Sequence, residues 1–298
     1  MKNISWKLLG LVGLLGLATY VVLRQPGETS TSGGGEVLVD YDSSSVDRIE
    51  ISSSGAHIVL SKDGAEWMVT EPLKYRADQK AVAEALGKGR HLEIASPVST
   101  NPGKQQLFQV DSSGTLVKIS DRGNEKAAIR IGKTGSTYSD TYIRREGSNN
   151  VYLTNGILSS IFVRNIREWR DKTVFKTEKE FIKEVRFQYG DTTFALALKD
   201  SAWTIGGEKT LESIVNSFVS ALTNFSADEF IDTSVSALPP LRAVLDVGGT
   251  QVLFYLLKDG TKYIVKSSQS PQLFEVQKWR ADQVLKKKAD FLQNPTKQ

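Results

Sequence analysis

Val46-Asp47-Arg48-Ile49-Glu50-Ile51 leads through a Ser52–Gly55 turn into Ile58-Val59-Leu60 and then Lys62-Asp63-Gly64-Ala65-Glu66-Trp67-Met68-Val69. Farther along, Ile182-Lys183-Glu184-Val185-Arg186-Phe187 leads through Tyr189-Gly190-Asp191 into Phe194-Ala195-Leu196 and Lys199-Asp200-Ser201-Ala202-Trp203-Thr204-Ile205. In both stretches apolar side chains alternate around turn residues, the pattern of a three-stranded meander with one inward face. Val46, Ile49, Ile51 and Trp67 match Ile182, Val185, Phe187 and Trp203 at a constant offset. An internal duplication therefore organises the chain.

Working outward, each meander is followed by a segment with apolar residues at helical spacing: Ala81, Val82, Ala85 and Leu86 within 77–91, and Leu211, Ile214, Val215, Phe218, Val219 and Leu222 within 211–225. A second group of strands follows in each half, at 117–119, 128–131, 141–143 and 151–153, and at 244–247, 252–256, 263–265 and 273–276. Helices are expected to close the halves at 156–168 and 278–291. A meander with one apolar face needs a covering layer, so the predicted class is α+β: two tandem repeats of mainly antiparallel sheet covered by helices. The first repeat is assigned to residues 43–172 and the second to 173–298, with the boundary at Trp169-Arg170-Asp171-Lys172.

At 298 residues the chain is long enough for two such units. Its 38 Lys plus Arg exceed 34 Asp plus Glu by four, a balance that would suit nucleic acid if the cations were clustered on the folded body. They are not. Three basic and no acidic residues lie in 1–24, and another excess lies at Lys278, Arg280, Lys286, Lys287, Lys288 and Lys297. Residues 25–277 carry 29 basic and 32 acidic side chains, so no nucleic-acid partner is expected.

Between Lys7 and Arg24, Leu8–Leu23 is sixteen residues without a formal charge. As a helix it would span roughly 24 Å, enough for a minimal membrane crossing if Trp6 and Tyr20 sit at the interfaces and Lys7 and Arg24 snorkel. An N-terminal transmembrane helix over 1–24 is accordingly predicted, with Gly10, Gly13 and Gly16 forming a small-residue side and Leu23 its last apolar residue. A cleaved secretory signal is the competing reading, but Thr19–Pro26 contains no small-x-small cleavage site. Lys2 and Lys7 place the N-terminus in the cytoplasm and the bulk of the chain outside the inner membrane. Residues 25–42, rich in Gly, Ser and Thr through Gly35, read as a flexible tether.

Reactive chemistry is sparse. With no cysteine there is no disulfide framework, thiol nucleophile or thiolate metal site. His57 and His91 belong to no spaced ligand set, and no GxSxG elbow or SxxK pair accompanies the serines. Gly132-Lys133-Thr134-Gly135 lacks the upstream glycine of a phosphate loop and reads as a hairpin. Trp67 and Trp203 hold equivalent repeat positions and read as core anchors in preference to a binding platform. Tyr142, Arg144 and Arg145 are more open to a binding role, although pairing with nearby groups is the simpler reading. No catalytic residue, cofactor or metal ligand is assigned.

The Asp63–Val69 strand, Ile131-Gly132 followed by Tyr142-Ile143-Arg144 and Val151-Tyr152-Leu153, and Trp169-Arg170-Asp171-Lys172 before the second unit occur in an order and spacing that resembles the bacterial domain-of-unknown-function family numbered 4340. The resemblance runs from about Val46 to Leu292 and marks Trp67, Gly132, Tyr142, Arg144, Arg170, Asp171 and Trp203. It implies a membrane-anchored extracytoplasmic protein associated with ABC-type export and gliding-motility-like systems. The function expected on this basis is a non-enzymatic accessory subunit whose partners are the membrane and a transporter permease or other envelope protein. The alternative is an envelope module that binds glycan or lipid.

Overall fold

The structure is a computed structural model that describes residues 36–232 and 237–292. In the first half, β1 (Val37–Asp40), β2 (Arg48–Ser53), β3 (Ala56–Asp63), β4 (Glu66–Glu71) and β5 (Tyr75–Arg76) precede helix α1 (Gln79–Gly89). Six more strands follow: β6 (His91–Glu93), β7 (Ser96–Ser99), β8 (Thr115–Asp121), β9 (Asn124–Thr134), β10 (Asp140–Arg145) and β11 (Val151–Asn155). The short helix α2 (Ser159–Phe162) closes the half.

The second half repeats this order. β12 (Thr173–Lys176), β13 (Glu184–Tyr189), β14 (Thr192–Lys199), β15 (Ala202–Ile205) and β16 (Glu208–Lys209) precede α3 (Glu212–Thr223). β17 (Asn224–Ser226), β18 (Glu229–Phe230), β19 (Leu241–Val247), β20 (Thr250–Leu256), β21 (Lys262–Ser267) and β22 (Ser270–Gln277) lead to α4 (Lys278–Val284) and α5 (Lys288–Leu292).

Each half is built on a nine-stranded antiparallel sheet, ordered β5-β4-β3-β2-β8-β9-β10-β11-β7 in the first and β16-β15-β14-β13-β19-β20-β21-β22-β18 in the second. Adding eleven to every strand number turns one order into the other. The two strand groups of each half join through their first strands, with Glu50 opposite Lys118 and Arg186 opposite Asp246. Cross-strand opposite charges of this kind favour that register.

A helix and a two-stranded ribbon cover one face of each sheet. Asp78 caps α1 by accepting from the backbone N–H of Lys80 and Ala81, a cap worth about 1 kcal/mol. Ala81, Val82, Ala85, Leu86 and Gly89 form its buried stripe. Gly89 admits Phe162, whose ring tip would lie 2.9 Å from any added Cβ. The ribbon β1–β6 brings Leu38, Val39 and Leu92 into the same core. β12–β17 does the same in the second half with Val174, Phe175 and Phe225.

Three expectations need correction. The α+β class gives way to a mainly β one, with 48% strand and 20% helix in two large antiparallel sheets. The helices expected to close the halves are short. Only α2 and a 3-10 turn at Ile166–Glu168 occur in 156–168, while 278–291 breaks into α4 and α5. The apolar periodicity there is too brief to sustain a longer helix, and the two strand groups merge into one sheet that dominates each core. Second, no helix among the described residues is long and apolar enough to cross a membrane. The transmembrane helix expected over 1–24, with Trp6, Lys7, Leu8, Gly10, Gly13, Gly16, Tyr20, Leu23 and Arg24, falls outside the described residues. Third, residues 37–40 of the expected tether form β1, because Leu38, Val39 and Tyr41 have a core to enter.

Candidate functional site

The segment between the halves, Trp169-Arg170-Asp171-Lys172, works as an interlock. Trp169 is fully buried in the first core, and its carbonyl accepts from the N–H of Asp78 at 2.8 Å. Ala77 and Arg170 form an antiparallel bridge, and the Asp171 N–H donates to the Arg76 carbonyl. The linker thus extends the β5 edge before entering β12.

Arg170 points the other way. Although only 3% exposed, its guanidinium lies 3.6 Å from the ring centroids of both Tyr75, in the first half, and Phe230, in the second. One terminal nitrogen donates to both carboxylate oxygens of Asp232 at 2.8 and 3.0 Å, and the other donates to the Gln272 side-chain carbonyl at 3.2 Å. Its Nε is buried without a hydrogen-bond partner, so the site keeps one donor unsatisfied in order to hold the stack. A planar cation can stack on two rings while it forks onto a carboxylate, and Lys cannot do both. Around this centre Arg167 reaches Glu229 at 3.5 Å, Lys172 donates to the Asp228 carbonyl, and Arg76 lies 3.4 Å from Asp171 and 2.6 Å from Glu66.

Gly132, Tyr142 and Arg144 form a separate cluster in the first half, where they hold the segment 100–114 against the outer face of the sheet. A Cβ on Gly132 would stand 2.2 Å from the Phe108 carbonyl, so the close approach requires glycine. Phe108 packs on Tyr142 with ring centroids 4.8 Å apart. Arg144, 8% exposed, donates to the carbonyls of Val110 and Ser148. Burial lowers its guanidinium below the usual arginine range, with Glu146 opposing the shift. Glu146 also takes a two-point hydrogen bond from Arg130, which holds its carboxyl below the ordinary glutamate value. Arg145 donates to the Leu38 carbonyl.

Trp67 is buried in the first core and Trp203 packs, half-buried, against the second. Neither belongs to an exposed aromatic row. The structure therefore assembles Arg170 and Asp171 at one place and Gly132, Tyr142 and Arg144 at another, while the two tryptophans stay apart in separate cores. Asp232, Phe230 and Gln272 escape sequence reasoning, because they lie 60 or more residues from Arg170 and carry no local motif.

Two histidine constellations lie elsewhere. Ser52 Oγ is 2.9 Å from His57 Nδ1, and His57 Nε2 is 3.5 Å from Glu71. These are the atom types of a nucleophile relay, but His57 and Glu71 are about half exposed. Water there screens the charges that a relay needs. His91 lies 3.3 Å from both Asp40 and Glu93, which raise its imidazole above the ordinary value. No group of three or more metal-ligating side chains occurs among the described residues.

The family described as Domain of unknown function (DUF4340) matches residues 67–244, and the chain belongs to it. That span covers most of the first half, the linker Trp169–Lys172 with Phe230 and Asp232, and the second half into β19, and leaves Gln272 outside. Neither a curated protein nor a solved structure matches the chain.

Proposed function

We propose that this member of the family is a non-enzymatic accessory subunit of a membrane complex, most simply an ABC-type transporter, and that it works on the extracytoplasmic side of the inner membrane. The observation that carries the proposal is the use made of the residues that mark the family. Gly132, Tyr142 and Arg144 fasten a loop, and Arg170 and Asp171 fasten two sheets together. Each is engaged in holding the chain's own segments, which suits a rigid body that presents surface to a partner. The uncharged run Leu8–Leu23, with Lys2 and Lys7 before it, supports the membrane side of the reading.

Co-isolation tests the proposal. The full chain, purified in mild detergent from cells that also express the neighbouring transporter permease and ATPase, should elute with them at a fixed ratio. Elution as a lone monomer in every detergent tried would overturn the accessory role. The competing glycan- or lipid-binding reading loses its two tryptophan candidates, since Trp67 is buried and Trp203 packs on a core.

A further inference from the structure

Beside the Arg170 interlock the two halves leave a cleft of about 360 Å³, within the roughly 300–1,000 Å³ of small-ligand pockets, which favour domain interfaces. Its apolar walls come from both halves: Met68 and Tyr75 from the first sheet, Phe230 and Pro271 from the second. Tyr75 and Phe230 are held in place by their shared stack on Arg170, so these two walls are pre-organised.

The polar lining is one-sided in charge. Lys74 and Arg76 face the cleft against a single lining carboxylate, Asp171. Arg76 is already shared between Glu66 and Asp171, whereas Lys74 makes no ion pair with any described residue. Gln272 has its carbonyl committed to Arg170, which leaves its amide NH2 as the free end, a donor only. An ammonium and an amide donor beside four apolar side chains match a negatively charged group attached to an apolar body.

The geometry points to this cleft as a binding site for an organic anion, with the anionic group held by Lys74 and the Gln272 amide and the apolar body between Met68, Tyr75, Phe230 and Pro271. Partial shielding at the cleft strengthens the ion pair over one on open surface. The inference goes beyond the accessory role and does not depend on any transporter partner.

Calorimetric titration of the full chain with 1-naphthoate, and with uncharged 1-naphthamide for comparison, tests it. Naphthoate should bind at one site per chain and more tightly than the amide. Lys74→Glu, at an exposed position, should weaken naphthoate by about tenfold and leave the amide unchanged. Ser270→Trp, which fills the cleft without altering its charge, should abolish binding of both. Absence of saturable naphthoate binding, equal affinity for the amide, or an affinity indifferent to Lys74→Glu would each overturn the proposal. If Ser270→Trp shifts the melting temperature, the Lys74→Glu and naphthamide comparisons decide.

Discussion

The two halves share one strand order but differ in the balance of side chains that fill it. The first core is largely aliphatic, built on Ile49, Leu60, Ile131 and Ile143 with Trp67 and Trp169 at its ends. Ten of the twelve phenylalanines fall in the second half, where Phe187 stacks on Phe194 at 4.5 Å and Phe218 meets Phe291 edge-on at 5.4 Å. Each half closes in the same way, an aromatic residue sending its carbonyl to the N-cap of the half's long helix: Trp169 to Asp78, and Phe291 to Leu211. The topology thus follows from alternation, turn positions and closure, and tolerates exchange of aliphatic for aromatic side chains in the core.

The halves part company on the outer sheet face. Arg144 lies opposite Arg130, and the matching pair in the second sheet is Lys266 opposite Leu253. Fifteen residues separate β7 from β8, but only ten separate β18 from β19. The arginine-fastened loop is therefore longer than its counterpart in the second half, and five of the residues that carry the family resemblance either fasten it or lie at the junction: Gly132, Tyr142, Arg144, Arg170 and Asp171.

The closures provide the hardest way to break this comparison. Trp169→Ala and Phe291→Ala should each cost roughly 3–5 kcal/mol in urea unfolding, since both side chains are fully buried. A difference of more than about 2 kcal/mol between them would argue that the closures are not equivalent. Arg170→Ala leaves Asp232 with only the more distant Arg167, at 4.0 Å, and two rings without their stack. A loss of roughly 2–4 kcal/mol is expected, the lower end reflecting the one-third exposure of the Asp232 side chain. Gly132→Ala should cost about 1–3 kcal/mol by forcing Cβ onto the Phe108 carbonyl, and limited proteolysis should then cut within 100–114 first.

Acid sharpens the comparison further. In the first half Asp42, Glu50, Asp111 and Glu146 are held below their ordinary values, chiefly by hydrogen bonds from Ser44, Arg48, Ser113 and Arg130 respectively. In the second, among the described residues, only Asp259 is lowered, by the Thr261 N–H. A depressed carboxyl contributes stability that is complete above its unfolded value and lost as pH falls through its folded one. Hydrogen exchange at about pH 3 should therefore show the first half losing protection before the second. Simultaneous loss would remove the distinction. The smallest effect lies in the β14–β15 turn, where Asp200 and Ser201 adopt positive φ of 49° and 65°. The equivalent turn of the first half uses Gly64 at 61°. Asp200→Gly, which puts glycine where the first half has Gly64, should raise stability by about 0.5–1 kcal/mol.

The duplication was legible because Ile49, Ile51 and Trp67 recur as Val185, Phe187 and Trp203, and alternation survives substitution. Short apolar periodicities at 156–168 and 278–291 read as longer helices than the chain forms there, and Leu38 and Val39, which follow a glycine-rich run, do not announce β1. The interlock was half legible. Trp169–Lys172 stood out as a boundary, but a boundary motif does not reveal that Arg170 reaches forward to Phe230, Asp232 and Gln272, since such pairing exists only after both sheets have formed.

Scanning calorimetry of the wild-type chain beside Arg170→Met most directly tests the claim that two copies of one fold are fastened into a single body by Arg170. The wild type should melt in one transition, and the variant in two, the lower one moved down by several degrees. Two transitions in the wild type, or a single unshifted one in the variant, would contradict it.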